Sequence, residues 1–299
     1  IIEVHNGSSL FTGDAGTGES NARRYMIERD LVEAIIALPD NMFYNTGIGT
    51  FIWVLSNRKE ERRKGKLQLI DATKMKSPLR KNMGKKNCEF TADIRKEIIR
   101  IFLTMEESEV SKIFDNREFG YWNVTVDRPL RLRILLDREV PAENEKGKLL
   151  FRKSSELAEV RSAVKAAMET APLDDWDAFA KATKLKKGQL KKIRPFITKT
   201  DPEAKEVAGE ADPELRDTEH IPFQYEGGID AFLKKEVLPY APDAYVDEDK
   251  TRIGYELSFT KYFYKPVKLR DMKDILASLA KLEKESDGVM DEIMEGLTE

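Results

Sequence analysis

The chain has 299 residues, 40% of them hydrophobic and 35% charged, enough for a substantial core and more readily two domains than one. No apolar run reaches the length of a membrane span, and the single cysteine, Cys88, allows no internal disulfide; membrane insertion and a disulfide scaffold are excluded, and a reducing, cytoplasmic setting is favoured. The net charge is only −3, but it is segregated: 58–86 and 181–199 are basic, whereas 201–219 is mainly acidic.

In chain order, Ile1, Ile2 and Val4 open an apolar strand, and a turn carrying Gly13, Gly16 and Gly18 leads into a helix expected over 19–29. "VEAIIALP" is a near-continuous apolar run ending at Pro39, the pattern of a strand covered on both faces. "GTFIWVLSN" is a second strand, joined to it through "DNMFYNTGIG" as a long hairpin, and "KLQLIDAT" is a further strand or a chain leaving the sheet. This is an α/β pattern with too few strands to close a sheet, so residues 1–90 are expected to be the carboxyl-terminal part of an α/β domain.

From Thr91, a plausible N-cap, Ile94, Ile98, Ile101 and Phe102 share a helical face, with 109–114 continuing after a turn. Strand alternation over 121–126 follows, and Pro129 argues against a central strand beyond it. Leu157, Val160, Val164 and Met168, then Trp176, Phe179 and Ala180 after Pro172, are helically spaced, so 91–200 is expected to be a mainly helical extension. Charge, Pro202 and Pro213 make 201–226 an exposed connector. The region 227–299 holds a short amphipathic helix over 229–237 and the aromatic segment "YELSFTKYFYKP". It ends in a helix whose Ile275, Leu279, Leu282, Val289 and Ile293 form a coiled-coil-like seam.

The glycine turn does not fit a phosphate loop. A Walker loop needs Lys and Ser/Thr after its last glycine, but Glu19 follows Gly18, and the G-x-x-G-x-G spacing departs from a dinucleotide loop; Asp40, near the end of the next strand, imitates a ribose-binding acid and keeps a Rossmann reading beside the more ordinary one of a flexible surface loop. His5 and His220 are far apart without a nucleophile motif, no metal-ligand spacing occurs, and no catalytic residue can be named in this chain. In "MFYNTGIGT", Phe43 or Tyr44 is positioned to stack on a planar base, with packing beneath the sheet as the alternative. Arg58, Lys59, Arg62, Arg63 and Lys64 form a candidate contact to a nucleic-acid backbone, and Lys74, Lys76, Arg80, Lys81, Lys85 and Lys86 follow as a second basic group.

The stretch "NGSSLFTGDAGTGESNARRYMIERDLVEAIIALPDNMFYNTGIGTFIWVLSNRK", with "FGYWNVTVDRPLRLR" and "GYELSFTKYFY", closely resembles the modification subunit of type I restriction-modification systems, an adenine-specific DNA methyltransferase. The resemblance is weakest over 143–219. It implies the carboxyl-terminal part of a Rossmann-like, S-adenosylmethionine-dependent methyltransferase sheet, and methyl transfer to adenine N6. The family's aspartate/asparagine-Pro-Pro-aromatic motif and donor loop are not in this sequence. The expectation is therefore a fragment that binds no cofactor and is inactive alone, with S-adenosylmethionine used by the full-length enzyme. By the same resemblance Phe43, Tyr44, Asn45, Thr46 and Gly47 would wall the pocket of a flipped adenine. Gly13, Gly16 and Gly18 would lie on the DNA-facing rim. The terminal seam would dock a specificity subunit, with DNA and a restriction subunit as the other partners. The competing expectation is a non-catalytic DNA- or protein-binding adaptor.

Overall fold

The computed structural model describes the backbone of residues 1–264, 269 and 271–296, without the side chains of 283 and 287–296. The chain divides into two compact units, Ile1–Leu257 and Ser258–Glu299.

The first unit begins with β1 (Ile2–Asn6), α1 (Ser8–Phe11), α2 (Gly18–Glu28), β2 (Val32–Ala37), β3 (Thr50–Leu55) and β4 (Lys66–Asp71). There follow β5 (Ser77–Met83), β6 (Lys86–Glu89), α3 (Ala92–Thr104) and β7 (Ser111–Asp115). Five of these strands form one mixed sheet in the order β1-β3-β2-β4-β7. The apolar run of β2 is the middle strand, and its buried Ala34 and Ile35 reflect cover on both faces. The expected hairpin is present: β3 runs antiparallel to β2, with Ala37 opposite Phe51.

α3 begins where the Thr91 hydroxyl accepts a hydrogen bond from the Ile94 amide, and it ends at Met105 in the left-handed region. Ile98 and Ile101 pack against Ile36 and Ile70 of the sheet, with Phe90, Ile94 and Phe102 around them. The α/β layer thus continues past residue 90. The expected helical continuation over 109–114 is instead mostly β7, because Ser111 to Asp115 gain five antiparallel partners on β4.

Next come β8 (Gly120–Asp127), β9 (Pro129–Ile134), α4 (Ser154–Thr170), α5 (Trp176–Thr183), α6 (Lys187–Ile197) and β10 (Thr198–Thr200). The unit closes with β11 (Glu206–Ala211), β12 (Asp217–Pro222), α7 (Gly228–Phe232) and β13 (Tyr245–Tyr255). β9 is the central strand of the sheet β10-β9-β11, against expectation. Pro129 is tolerated because it is the strand's first residue, beside a register shift. That sheet and α4, α5 and α6 enclose a separate core in which Val160, Phe179, Ile193 and Ile197 are fully buried.

The expected connector over 201–226 also contains paired structure. Val207 of β11 is buried in the helical core, and Ile221 of β12 is buried in the sheet β12-β8-β13. The acidic residues that suggest an unstructured link alternate with these apolar ones along edge strands. The helix expected over 229–237 is α7 followed by one wider turn, where the Leu238 amide donates to the Leu233 carbonyl.

The second unit contains α8 (Phe259–Phe263) and the 25-residue α9 (Met272–Gly296). No helix among the described residues is long and apolar enough to cross a membrane.

Candidate nucleic-acid interface

β1 and β2 both run antiparallel to β3 and therefore parallel to each other, and β2 is parallel to β4. The carboxyl ends of β1, β2 and β4 consequently share one edge of the sheet, where open α/β folds present ligands. Three segments emerge there: the glycine turn after β1 and α1, the 38–49 loop after β2, and the β5–β6 hairpin after β4.

In the 38–49 loop Phe43 pairs with Thr46 across a tight turn, with Tyr44 and Asn45 at its tip. Asn41 is left-handed (φ 59), and a Cβ on Gly47 would lie 2.9 Å from the Asn41 Oδ1, so a larger residue at 47 would collide with that amide. The β5–β6 hairpin is clamped onto this loop. The Lys85 amide donates to the Tyr44 carbonyl at 2.9 Å, and the Asn87 amide to the Asn41 carbonyl at 3.1 Å. Lys86 Nζ sits 5.4 Å from the centre of the Tyr44 ring, a cation–π distance. Tyr44 is thus partly engaged, whereas Phe43, 37% exposed, has no ring or cation partner among the described residues.

The hairpin and its approach carry Lys74, Lys76, Arg80, Lys81 and Lys85 exposed, none of them in an ion pair among the described residues. An apolar ring beside such a field suits an unstacked base held next to its phosphates. The hairpin's tie to the Tyr44 carbonyl is invisible in the sequence except as a glycine before two lysines, "MGKK".

The glycine turn is closed on itself. Thr17 donates to the Asp14 carbonyl from both its amide and its hydroxyl, and Asn21 Nδ2 donates to the Gly16 carbonyl. Gly13 (φ 93) and Gly16 (φ 83) occupy conformations that favour glycine, and the Arg252 side chain lies 3.1 Å from where a Cβ on Gly16 would stand. Gly18 starts α2 with open space around it. Behind the turn, Arg23 is buried and donates to the carbonyls of Thr12 at 2.7 Å, Ser9 at 3.3 Å and Tyr255 at 2.8 Å. Burial pulls the Arg23 guanidinium below its ordinary value. The turn is filled by its own hydrogen bonds and by the Arg252 side chain.

Residues 58–64 do not join this face. They link the end of β3 to the start of β4, at the opposite edge of the sheet and a strand's length, about 20 Å, away. Lys59 is buried, with Nζ donating to Asp30 Oδ1 at 2.5 Å and to the Lys66 carbonyl at 2.7 Å. Arg63 is buried too, 4.1 Å from the Phe102 ring centre and donating to the Phe102 carbonyl. Arg62 and Lys64 pair with Glu60 and Glu61, which leaves only Arg58 exposed without an ion pair among the described residues. Lys59 and Arg63 are an internal brace, and the backbone contact read from the sequence is corrected for these two; Arg58, Arg62 and Lys64 are exposed. Charge density in the sequence could not distinguish them from the lysines of the hairpin.

In α9, Ile275, Leu279 and Leu282 are 43%, 57% and 60% exposed, so this part of the expected seam is an uncovered apolar stripe. The side chains of Val289 and Ile293 lie outside the described residues.

Part of the chain is similar to known proteins. Residues 3–127 match the family model for N-6 DNA methylase. The chain is 39% identical over 70 residues to the type I restriction enzyme MjaVII methylase subunit of Methanocaldococcus jannaschii, covering 23% of this chain and 12% of that one. It is 44% identical over 54 residues to the HindI methylase subunit of Haemophilus influenzae, covering 18% of this chain and 12% of the relative. Among solved structures, a type I restriction-modification methyltransferase subunit from Streptococcus thermophilus aligns over 40% of this chain and 23% of its own, at 24% identity and a TM-score of 0.34. The chain thus spans a small part of its curated relatives, 12% to 16% of their length.

Proposed function

We propose, from the match of residues 3–127 to the N-6 DNA methylase family model, that the chain is part of the modification subunit of a type I restriction-modification system, which methylates adenine N6 in DNA with S-adenosylmethionine. The part proposed for these residues is on the acceptor side: Phe43, with Tyr44, Asn45, Thr46 and Gly47, walls the pocket of an extruded adenine. The β5–β6 hairpin holds the neighbouring phosphates. Gly13, Gly16 and Gly18 form the adjoining rim.

The observation that carries this reading is the exposed, unpartnered Phe43 ring at the carboxyl edge of a sheet whose residues match the methylase family. A base must leave the stack before its amine can be reached, and an aromatic face offsets part of that cost, about 1–3 kcal/mol per stacked base. The donor and transfer chemistry are not assigned to residues of this chain, and the specificity subunit, the proposed partner of the α9 stripe, would supply sequence choice.

The test is methyl transfer to adenine-containing duplex by the complete reading frame that encodes these residues. Phe43→Ala should lower the rate at least tenfold while Tyr44→Ala costs less. Transfer unaffected by both changes would remove the stacking assignment, and absence of adenine methylation in the parent protein would remove the function.

A further inference from the structure

The second basic stretch of the sequence belongs to a part of the molecule outside the methylase match. α5 and α6 are helices of eight and eleven residues joined by three residues, with Lys184 in the left-handed region (φ 54) turning the chain between them. Phe179 and Thr183 of α5 and Ile193 and Ile197 of α6 are buried. Ala180, Leu185 and Leu190 pack around the same core. The two helices thus contribute to one core, and α6 keeps an outer face exposed.

That outer face is basic and open. Lys187, Lys191 and Pro195 recur every four residues along α6 and are exposed, and Lys186 precedes them. Gly188 has nothing within 4 Å of where a Cβ would stand, so the start of the helix can be approached closely. Lys181, Lys184, Lys186, Lys187 and Lys191 have no ion-pair partner among the described residues. The carboxylates nearby are already engaged. Asp175 pairs with Lys205, Glu210 with Arg194, Glu156 accepts from Gln189 Nε2, and Asp177 accepts from the Ala208 amide. None of these carboxylates forms an ion pair with the five lysines, which stay exposed.

We propose that this α5–α6 unit is a second DNA-contacting module, which grips duplex phosphates through Lys186, Lys187 and Lys191 with α6 as the presented helix. The choice of DNA over another polyanion rests on the methylase reading; the unpaired lysines do not. The contact is sequence-neutral. The one amide side chain on α6, Gln189, is held by the Lys186 amide and by Glu156, so the face offers lysine charges suited to phosphates and no free amide to pair with adenine.

The experiment is fluorescence anisotropy of the 299-residue chain with labelled duplexes of about two helical turns, in two unrelated sequences, across a salt series. Lys187→Gln/Lys191→Gln should weaken both duplexes equally, on the order of tenfold, and reduce the slope of log affinity against log salt by about 2. The control Lys146→Gln/Lys148→Gln removes the same charge from an exposed loop and should leave the slope unchanged, with both variants melting like the parent. An unchanged slope in the α6 variant overturns the proposal. So does an equal loss in the control, loss on one sequence only, or an identical loss on single-stranded DNA. The methylase reading stands or falls separately, by methyl transfer, which the anisotropy does not measure.

Discussion

The Lys85 backbone amide donates a hydrogen bond to the Tyr44 carbonyl at 2.9 Å, tying the basic β5–β6 hairpin to the aromatic loop after β2. Gly84 makes this approach possible: it is left-handed (φ 62), and a Cβ there would stand 2.7 Å from that same carbonyl oxygen. Gly84→Ala should therefore break the tie, costing about 1–3 kcal/mol from strain and the lost bond. Faster hydrogen exchange at Lys85 and a lower Tm would register it. An alanine variant with parent-like protection would show that the hairpin is held by other contacts.

Arg23 tests whether the glycine turn is rigid. Its guanidinium joins the carbonyls of Ser9 and Thr12 to that of Tyr255 on β13, so one side chain links the turn to a second sheet. Arg23→Met keeps the stem and removes the donors, leaving buried carbonyls unsatisfied. The expected loss is about 3 kcal/mol in denaturant unfolding, with new proteolytic sensitivity over 9–17. A variant as stable as the parent would mean that the turn is braced by Arg252 and its own bonds alone.

The brace at the opposite edge predicts a pH dependence. Burial would raise the Asp30 carboxyl, but hydrogen bonds from Lys59, from the Gly65 amide and from Asn116 outweigh it and hold the group below the usual carboxylate range. The unfolded chain titrates this aspartate near ~3.9. Stability from the site is therefore complete above about pH 4 and is lost as pH falls through the lower folded value. Asp30→Asn should lower the Tm at neutral pH, because buried Lys59 loses its counter-charge, and should flatten the fall in Tm below about pH 4. Thermal melts across an acid series would check both; an acid limb as steep as the parent's would transfer the dependence to another carboxylate.

The exposed stripe of α9 supports a docking test. Truncation before Asp271 should abolish co-purification with a specificity subunit while the Ile1–Leu257 unit keeps its circular dichroism and melting behaviour. Retained association after truncation would reject the stripe as the contact.

Local pattern by itself determined much of this protein. The buried run of β2, the turn-rich link to β3, the Thr91 cap and the spaced apolar residues of α4 and α5 are each set by residues within a few positions of one another, so period and capping reveal them. Motif order likewise pointed to the methylase family and to Phe43. Only the tertiary structure decided which charges face solvent. Lys59 and Lys187 look alike in sequence, yet one is buried against Asp30 and the other stands open on α6, because burial depends on residues brought together from far along the chain. The same holds for 201–226, where acidic residues suggest a link but long-range pairing with β8 and β9 makes strands.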